Sequence, residues 1–390
     1  MKYYLVAGEA SGDLHGSNLM RGLYAEDPQA DIRFWGGGLM DAVYRENQAG
    51  GGLVCDYREG AVMGFWEVFR KAGSLLRKVR SCKQDILSWQ PDAVILIDYP
   101  GFNFRIAEFA HKAGFKVFYY IAPKVWASRE GRIRKLKAYV DKLFIVFPFE
   151  EDYFRRKGVD FIYKGNPLVD AVDRSPAMQE SREDFLKRHG LPDVPFIALL
   201  AGSRSGEIKS MMPVLMETAA RLHAEPEYGN YRFLIAAAPS RTTEEYDLAG
   251  NDAFVHVISD DTYAVLRQSR SALINSGTAS LEAALIGTPQ AVGYRMAALS
   301  ALIVRLIIKV RFVSLANLIL DRLAFREFLQ EDLTADNLTA ELRRLLEDGP
   351  YREKMLADYA EVREKLGGTG ASAAVARAMI EALSSVSYPK

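Results

Sequence analysis

Along this chain, short apolar runs end in small-residue turns, and each turn leads into a stretch whose apolar positions recur at helical spacing. Residues 3–7, 32–35, 93–97, 117–121, 143–147 and 161–163 read as strands. Their runs lack polar alternation, which marks parallel strands covered on both faces. Leu14, Leu19 and Leu23 place a helix after the first strand. Gly165-Asn166-Pro167-Leu168 punctuates the chain and marks a domain boundary. Alternation resumes with strands at 196–200, 231–236, 254–258, 271–274 and 290–294, and Met211, Met212, Leu215, Ala219 and Leu222 predict a helix from Ile208 onward. Strand, turn and helix in alternation predict an α/β protein built on parallel sheets. No repeat of solenoid period and no low-complexity tract interrupts the pattern, and helices over about 334–385 follow it.

Two segments fit the pattern in more than one way. In 62–83, Val62, Phe65, Trp66, Phe69, Ala72, Leu76 and Val79 share one helical face, and Glu67, Arg70, Lys71, Arg77 and Lys78 share the other. Such a helix either faces a core or lies in a membrane interface, where aromatic and basic residues serve together. Segment 299–320 is strongly apolar, but Arg305, Lys309 and Arg311 interrupt it, so it is no simple membrane span. It reads as a core helix, or else as a ligand-lining or lipid-facing segment.

Composition narrows the classes. At 390 residues the chain holds about two domains with full cores. Its 50 Lys+Arg balance 50 Asp+Glu, which argues against a general binder of nucleic acid or other polyanions. Cys55 and Cys82 are the whole cysteine complement, which suits a reducing compartment and supports neither a disulfide framework nor a zinc site. Glu9 arrives before any signal-length apolar region, and no uncharged apolar stretch reaches about 18 residues, so the expectation is a protein neither exported nor membrane-spanning.

The turns carry the candidate chemistry. After 196–200, Ala201, Gly202 and Ser203 let the backbone turn into a helix whose free N–H groups point back toward the strand end. Arg204 adds a forked cation able to grip a phosphate, and Ser203 can cap the helix or bind the same oxygen. A capped helix with a solvated arginine would use the same residues. Ser276-Gly277-Thr278-Ala279 offers a second set of N–H donors, with Glu282 one turn in, suited to a vicinal diol or simply to solvent. Gly8, Gly12 and Gly16 miss the dinucleotide spacing, which argues against a nicotinamide or flavin. Their loop crowds Glu9, Ser11, Asp13 and His15 at a strand end, either as a convergent site or as turn and capping residues. Three glycines at 36–38 suggest close approach of the backbone to a ligand or another helix. Asp98 stands at a strand's carboxyl end, where open α/β sheets bind ligands, or else braces the Pro100-Gly101 turn. Arg129, Arg132, Arg134, Lys135 and Lys137 form a basic stripe that meets a phosphate or is solvated.

AGEASGDLHG at 7–16, GGGLM at 36–40, IDYPGFN at 97–103, YYIAPKVWAS at 119–128, FPFE at 147–150, GNPL at 165–168, GSRSGEI at 202–208 and NSGTASLEA at 275–283 follow one another in this order. With them the chain resembles the lipid-A-disaccharide synthase family from the first strand to about residue 330. The resemblance implies the glycosyltransferase B fold: two Rossmann-like domains facing across a cleft, an acceptor-binding one over 1–168 and a UDP-sugar donor-binding one over 169–335, with helices of 336–390 packing across the fold. It implies inverting transfer of a diacylglucosamine from UDP to the 6-hydroxyl of 2,3-diacylglucosamine 1-phosphate, giving a β-1,6 linkage. No cofactor or metal is implied. The setting would be cytoplasmic, on the inner face of a Gram-negative inner membrane, with the chain monomeric or a homodimer.

Carried over by residue, Gly202, Ser203, Arg204 and Glu207 resemble the pyrophosphate loop, Asn275, Ser276, Gly277 and Thr278 its partner turn, and Glu282 the ribose ligand. Asn317 and Gln330 match a downstream part of the donor site. Asp98 is the expected general base, with Asp13 and His15 as rivals; Glu9, Ser11 and Asn103 are expected at the acceptor, and Phe65, Trp66, Phe69 and Leu76 at acyl chains or membrane. Ala201 stands where the family usually has proline, and Ser128 where a tryptophan often follows VWA, which opens that wall of the acceptor pocket to question. A UDP-N-acetylglucosamine 2-epimerase or a polyprenyl-linked glucosaminyltransferase would share the fold. A non-catalytic sugar-nucleotide-binding protein would share the donor half, although the crowd of Glu9, Asp13, His15 and Asp98 speaks against it.

Overall fold

The computed structural model describes residues 1–47, 50–58, 67–238, 241–243, 245–246, 253–295 and 311–384, with the backbone alone over 67–74. The chain forms two α/β units, Met1–Ala171 with Leu366–Lys390, and Val172–Lys365. In the first unit β1 (Lys2–Ala7), β2 (Asp31–Gly36), β3 (Gly51–Asp56), β4 (Ala93–Ile97), β5 (Lys116–Tyr120), β6 (Lys142–Ile145) and β7 (Phe161–Tyr163) make one parallel sheet in the order β3-β2-β1-β4-β5-β6-β7. All five residues of β4 are buried, as expected of an apolar strand covered by helices on both faces. Parallel pairing sets every carboxyl end along one edge. The order reverses between β1 and β4, with Ala7 opposite Ile97, so the chains leaving these two strands diverge and open a crevice between their ends.

The second unit repeats the plan with β8 (Phe196–Leu200), β9 (Arg232–Ala237), β10 (Val255–Ser259), β11 (Ser271–Asn275), β12 (Gln290–Tyr294) and β13 (Glu327–Leu329). Their order is β10-β9-β8-β11-β12-β13, again parallel, with the reversal between β8 and β11 where Leu200 faces Ile274. Two edge strands were invisible to the apolar pattern. β3 opens on Gly51 and Gly52 at φ 102° and 110°, and a Cβ on Gly51 would stand 2.2 Å from the Ile32 carbonyl oxygen. The glycines that make 50–52 read as a turn are what lets this strand approach β2. β13 is three residues long, too short to show a period. β6 stops at Ile145, two residues before the apolar run ends, because the N–H groups of Val146 and Phe147 donate to the Glu150 carboxylate.

Of the amphipathic 62–83 face, Val62, Phe65 and Trp66 lie outside the described residues, as do the side chains of Phe69 and Ala72. The helix there is Glu67–Trp89; Val79, Cys82 and Ile86 enter the core, but Leu76 is 61% exposed. The face therefore divides within its described part. Of 299–320, residues 299–310 lie outside the described residues, and the helix Leu315–Leu320 is buried along most of its length. Among the described residues no helix is long and apolar enough to cross a membrane.

The sequence puts the domain break at 168 and reads 336–390 as one helical layer. As folded, the units part after Ala171, helices Ala335–Leu346 and Pro350–Lys365 belong to the second unit, and Ala371–Ser384 completes the first. That last helix packs on Ala10–Glu26 where Gly22 leaves room: a Cβ there would stand 3.0 Å from Ala376 Cβ. Asp170, fully buried, anchors the return by accepting from Gly370 N at 2.5 Å and Ser372 N at 2.7 Å. Asp170→Ala should lower unfolding free energy by about 2–3 kcal/mol, because it strands N–H donors of a charged hydrogen-bond site. Chemical denaturation measures this, and an unchanged midpoint would show that the anchor is idle.

Candidate functional site

The first sheet's reversal gathers chemistry at its carboxyl edge. Asp98 follows β4 directly, and Asp98 and Tyr99 are both left-handed, at φ 43° and 44°. Two such non-glycine residues in succession are strained, and the surroundings hold them there. Asn103 Nδ2 donates to Val6 O at 3.4 Å, Ile97 O at 3.2 Å and Asp98 O at 2.8 Å, and Tyr119 Oη donates to Asp98 O at 2.7 Å. Asn103 is fully buried in this bracing role. Burial pushes the Asp98 carboxyl above the usual carboxylate range; Lys124 draws it down and Glu9 adds to the rise. Glu9 and Ser11 are exposed at the start of the helix Ala10–Glu26, beside the same crevice.

Asp13 and His15 sit on that helix in different circumstances. Asp13 is buried, and its carboxylate accepts from Gly37 N at 2.8 Å, Leu39 N at 3.1 Å and Met40 N at 3.0 Å. It closes the start of the helix Gly38–Asn47. Here lies the reason for Gly37: a Cβ on it would stand 2.7 Å from Asp13 Oδ2 and 2.4 Å from the Tyr57 ring. His15 has a buried Nδ1 without a partner, and burial lowers its pKa to about 4, so its ring is neutral near pH 7.

The second sheet's reversal brings the two phosphate-type turns together. Gly202 follows β8 at φ 111°, and a Cβ on it would stand 2.7 Å from Glu207 Oε2 and 2.8 Å from Asn275 Nδ2. Only a glycine fits between them. The helix beyond is Ser205–His223, beginning three residues before the apolar spacing announces it. Its loop is already closed: Glu207 Oε2 accepts from Ser203 N at 3.1 Å and Arg204 N at 3.2 Å, and Oε1 takes the Arg204 guanidinium at 2.9 Å. The N–H groups offered to a phosphate by the sequence pattern are thus engaged in part by a carboxylate, while Arg204 stays exposed. By contrast the helix Thr278–Ile286 starts at Gly277 with no side-chain cap, so its first N–H groups face the crevice edge uncapped. Ser276 N is spent on Gly293 O.

Glu282 is half-buried, its carboxyl raised by burial and partly offset by Tyr263 Oη, which donates at 3.0 Å. Gln330 sits just beyond β13 at φ 53°. Asn317 is fully buried and fully engaged: Nδ2 donates to Phe325 O and Glu327 Oε1, and Oδ1 accepts from Ala324 N and Phe325 N. It braces its own loop. Among the described residues no group of three or more His, Cys, Asp and Glu is placed to hold a metal.

Several participants escaped the sequence reading. Arg241 lies against the donor-type loop, its Nε donating to Ser203 O at 2.8 Å and its Nη1 to Ser205 Oγ at 2.9 Å. Glu150, 1% exposed, accepts from Trp126 Nε1 at 3.0 Å besides the two strand-end N–H groups. Burial raises its pKa to about 7 despite those donors. The FPFE motif flagged its place, but nothing in the local pattern distinguishes an inward carboxylate from a first-turn helix acid.

A family model described as lipid-A-disaccharide synthetase matches residues 3–379. A lipid-A-disaccharide synthase of Geobacter metallireducens is 38% identical over 97% of this chain and 96% of its own length. Among solved structures, a UDP-N-acetylglucosamine 2-epimerase of Listeria monocytogenes, described as putative in its own right, superposes with a TM-score of 0.68 at 15% identity, covering 100% of this chain and 98% of that one. A glycosyltransferase from Rickettsia africae superposes with a TM-score of 0.60 at 12% identity, covering 99% of each chain. These likenesses establish the architecture of two Rossmann-like units.

Because the folded state holds the Glu150 proton more tightly than the unfolded chain, its contribution to stability is fully present below about pH 4.5 and lost as pH rises through about 7. Glu150→Gln has no proton to lose. Its melting temperature relative to the native protein should therefore climb between about pH 5 and about pH 8. Thermal melts across that window check the sign, and a difference independent of pH would mean that Glu150 titrates normally.

Proposed function

The chain belongs to the lipid-A-disaccharide synthase family of glycosyltransferases, and on that premise we propose that it joins UDP-2,3-diacylglucosamine to 2,3-diacylglucosamine 1-phosphate. Asp98 carries the reading. It stands at the sheet's reversal in a strained, braced turn, with a carboxyl that burial raises above its ordinary value. Asp13 has three N–H donors on its carboxylate, and burial lowers the basicity of the His15 imidazole. In the transfer, the acceptor 6-hydroxyl gives its proton to Asp98 as its oxygen bonds to the donor's anomeric carbon. The anomeric carbon–phosphate oxygen bond breaks on the opposite face, and UDP leaves with the electron pair, which inverts the centre to a β-1,6 linkage.

The charge that builds on UDP needs preorganised donors. The uncapped start of the helix Thr278–Ile286 and the exposed Arg204 are suited to it, and Glu282 to the ribose diol. When diphosphate arrives, Arg204 exchanges one anionic partner for another, with Glu207 holding the loop's backbone in place. Acylated substrates place this chemistry at a lipid surface, on the cytoplasmic face of the inner membrane. Leu76, Arg77 and Arg80 are exposed along the helix Glu67–Trp89, consistent with that setting.

Three experiments bear on this reading. With both lipid substrates, the purified protein should yield a tetra-acyl disaccharide phosphate detectable by mass. Asp98→Asn should lose about 10² to 10⁴ in rate while keeping its fold and UDP affinity; retention of most activity would move the base elsewhere. For the membrane, serine at Phe65, Trp66 and Phe69 should weaken binding to anionic vesicles without a large drop in melting temperature, and native binding should fall with salt. A collapse in melting temperature instead would mean that this face is core.

A further inference from the structure

The VWAS end of YYIAPKVWAS and the FPFE motif have no task in the transfer described above, yet their residues meet at the carboxyl ends of β5 and β6. Trp126 is half-buried, and its only polar atom, Nε1, is spent inward on Glu150 at 3.0 Å. Phe149 stands edge-on to it, with ring centroids 5.0 Å apart at 85°, and Phe147 lies parallel to Phe149 at 5.3 Å. Glu150 in turn is locked by Val146 N and Phe147 N, so the indole is held by a carboxylate that cannot itself move. What Trp126 leaves uncovered is apolar ring surface. Two polar residues flank Trp126 in the chain: Lys124 and Ser128 are both exposed, and Lys124 also draws down the Asp98 carboxyl, one strand over in the sheet.

A rigid aromatic face with exposed polar residues on either side of it in the chain matches a ligand with both an apolar C–H face and hydroxyls. We propose that Trp126 is the platform on which the pyranose ring of the acceptor rests, and that Glu150 is the positioning residue that fixes the indole for it. The assignment rests on the reading of the first unit as the acceptor-binding one. It also answers the question left by Ser128. Where a second ring is missing from that stretch, Phe149 supplies one from the next strand's turn.

The test separates the sugar from its acyl chains and the platform from the reaction. Glucosamine 1-phosphate, which has no acyl chain, should quench the native protein's tryptophan emission, and Trp126→Phe should abolish that quench although Trp35, Trp66 and Trp89 remain. In steady-state assays Trp126→Ala should raise the acceptor KM about three- to tenfold, the worth of one aromatic contact, with donor KM and UDP affinity unchanged. Glu150→Gln should raise the acceptor KM less, leave kcat and donor KM alone, and shift the emission of Trp126 to the red. A purely structural role would instead lower melting temperature and disturb both substrates alike. Quenching only by acylated acceptor, or an acceptor KM within twofold of native in Trp126→Ala, overturns the platform even if disaccharide is formed. If native protein forms no disaccharide but is still quenched through Trp126, the proposed reaction fails and the sugar subsite stands.

Discussion

The Asn103 carboxamide joins the ends of the two strands between which the first sheet reverses its order. Buried without solvent contact, it donates to carbonyls of β1 and β4 and to Asp98 itself, and so holds Asp98 and Tyr99 in left-handed conformations that L-residues adopt only under constraint. Each such residue costs about 1–3 kcal/mol unless its surroundings compensate. Here the compensation is a set of buried hydrogen bonds that includes the Tyr119 hydroxyl. Without this brace the turn would relax, the Asp98 carboxyl would regain water, and the rise in its pKa would vanish with its cause.

The second sheet reaches a similar geometry by a different device. Its reversal is bridged through Gly202, which has no side chain and so lets Glu207 and Asn275 close over it. Glu207 then occupies the N–H groups of Ser203 and Arg204, just before its own helix, and the neighbouring helix at Gly277 has no side-chain cap. One turn is thereby rigid and the other receptive. The first unit presents a half-buried acid at its edge, the second presents N–H groups and arginines. A base and an anion site are the two needs of a transfer whose leaving group is a nucleoside diphosphate.

Burial also sorts residues that look alike in sequence. Asp13 and Asp98 are both acids after apolar strands, yet three N–H donors engage the first, whereas desolvation dominates the second. Asn103 and Asn317 read as candidate ligands, and both brace their surroundings: Asn103 spends its amide nitrogen on backbone carbonyls, and Asn317 spends its own on a backbone carbonyl and the half-buried Glu327 carboxylate. Glu150 is a first-turn helix acid like Glu151 beside it, yet it alone is enclosed and accepts from an indole.

The sequence by itself determined the parallel strands, the turns at their carboxyl ends and the paired phosphate-type motifs, because these depend on neighbours a few residues apart: apolar runs, glycines and helical spacing. The positions of Asp98, Gly202 and Glu282 just after strands were legible for that reason, whereas Asn275 was singled out only by the family resemblance. What only the tertiary structure decided rests on contacts between distant segments. The last helix, Ala371–Ser384, serves the first unit because Asp170 and Gly22, some two hundred and more residues earlier, receive it. Edge strand β3 exists because the Ile32 backbone accepts a glycine pressed against it. The hydrogen bonds of Glu150, Asn317 and Arg241 likewise reach groups that no local period marks, since a side chain's partner in space leaves no trace in the spacing around it.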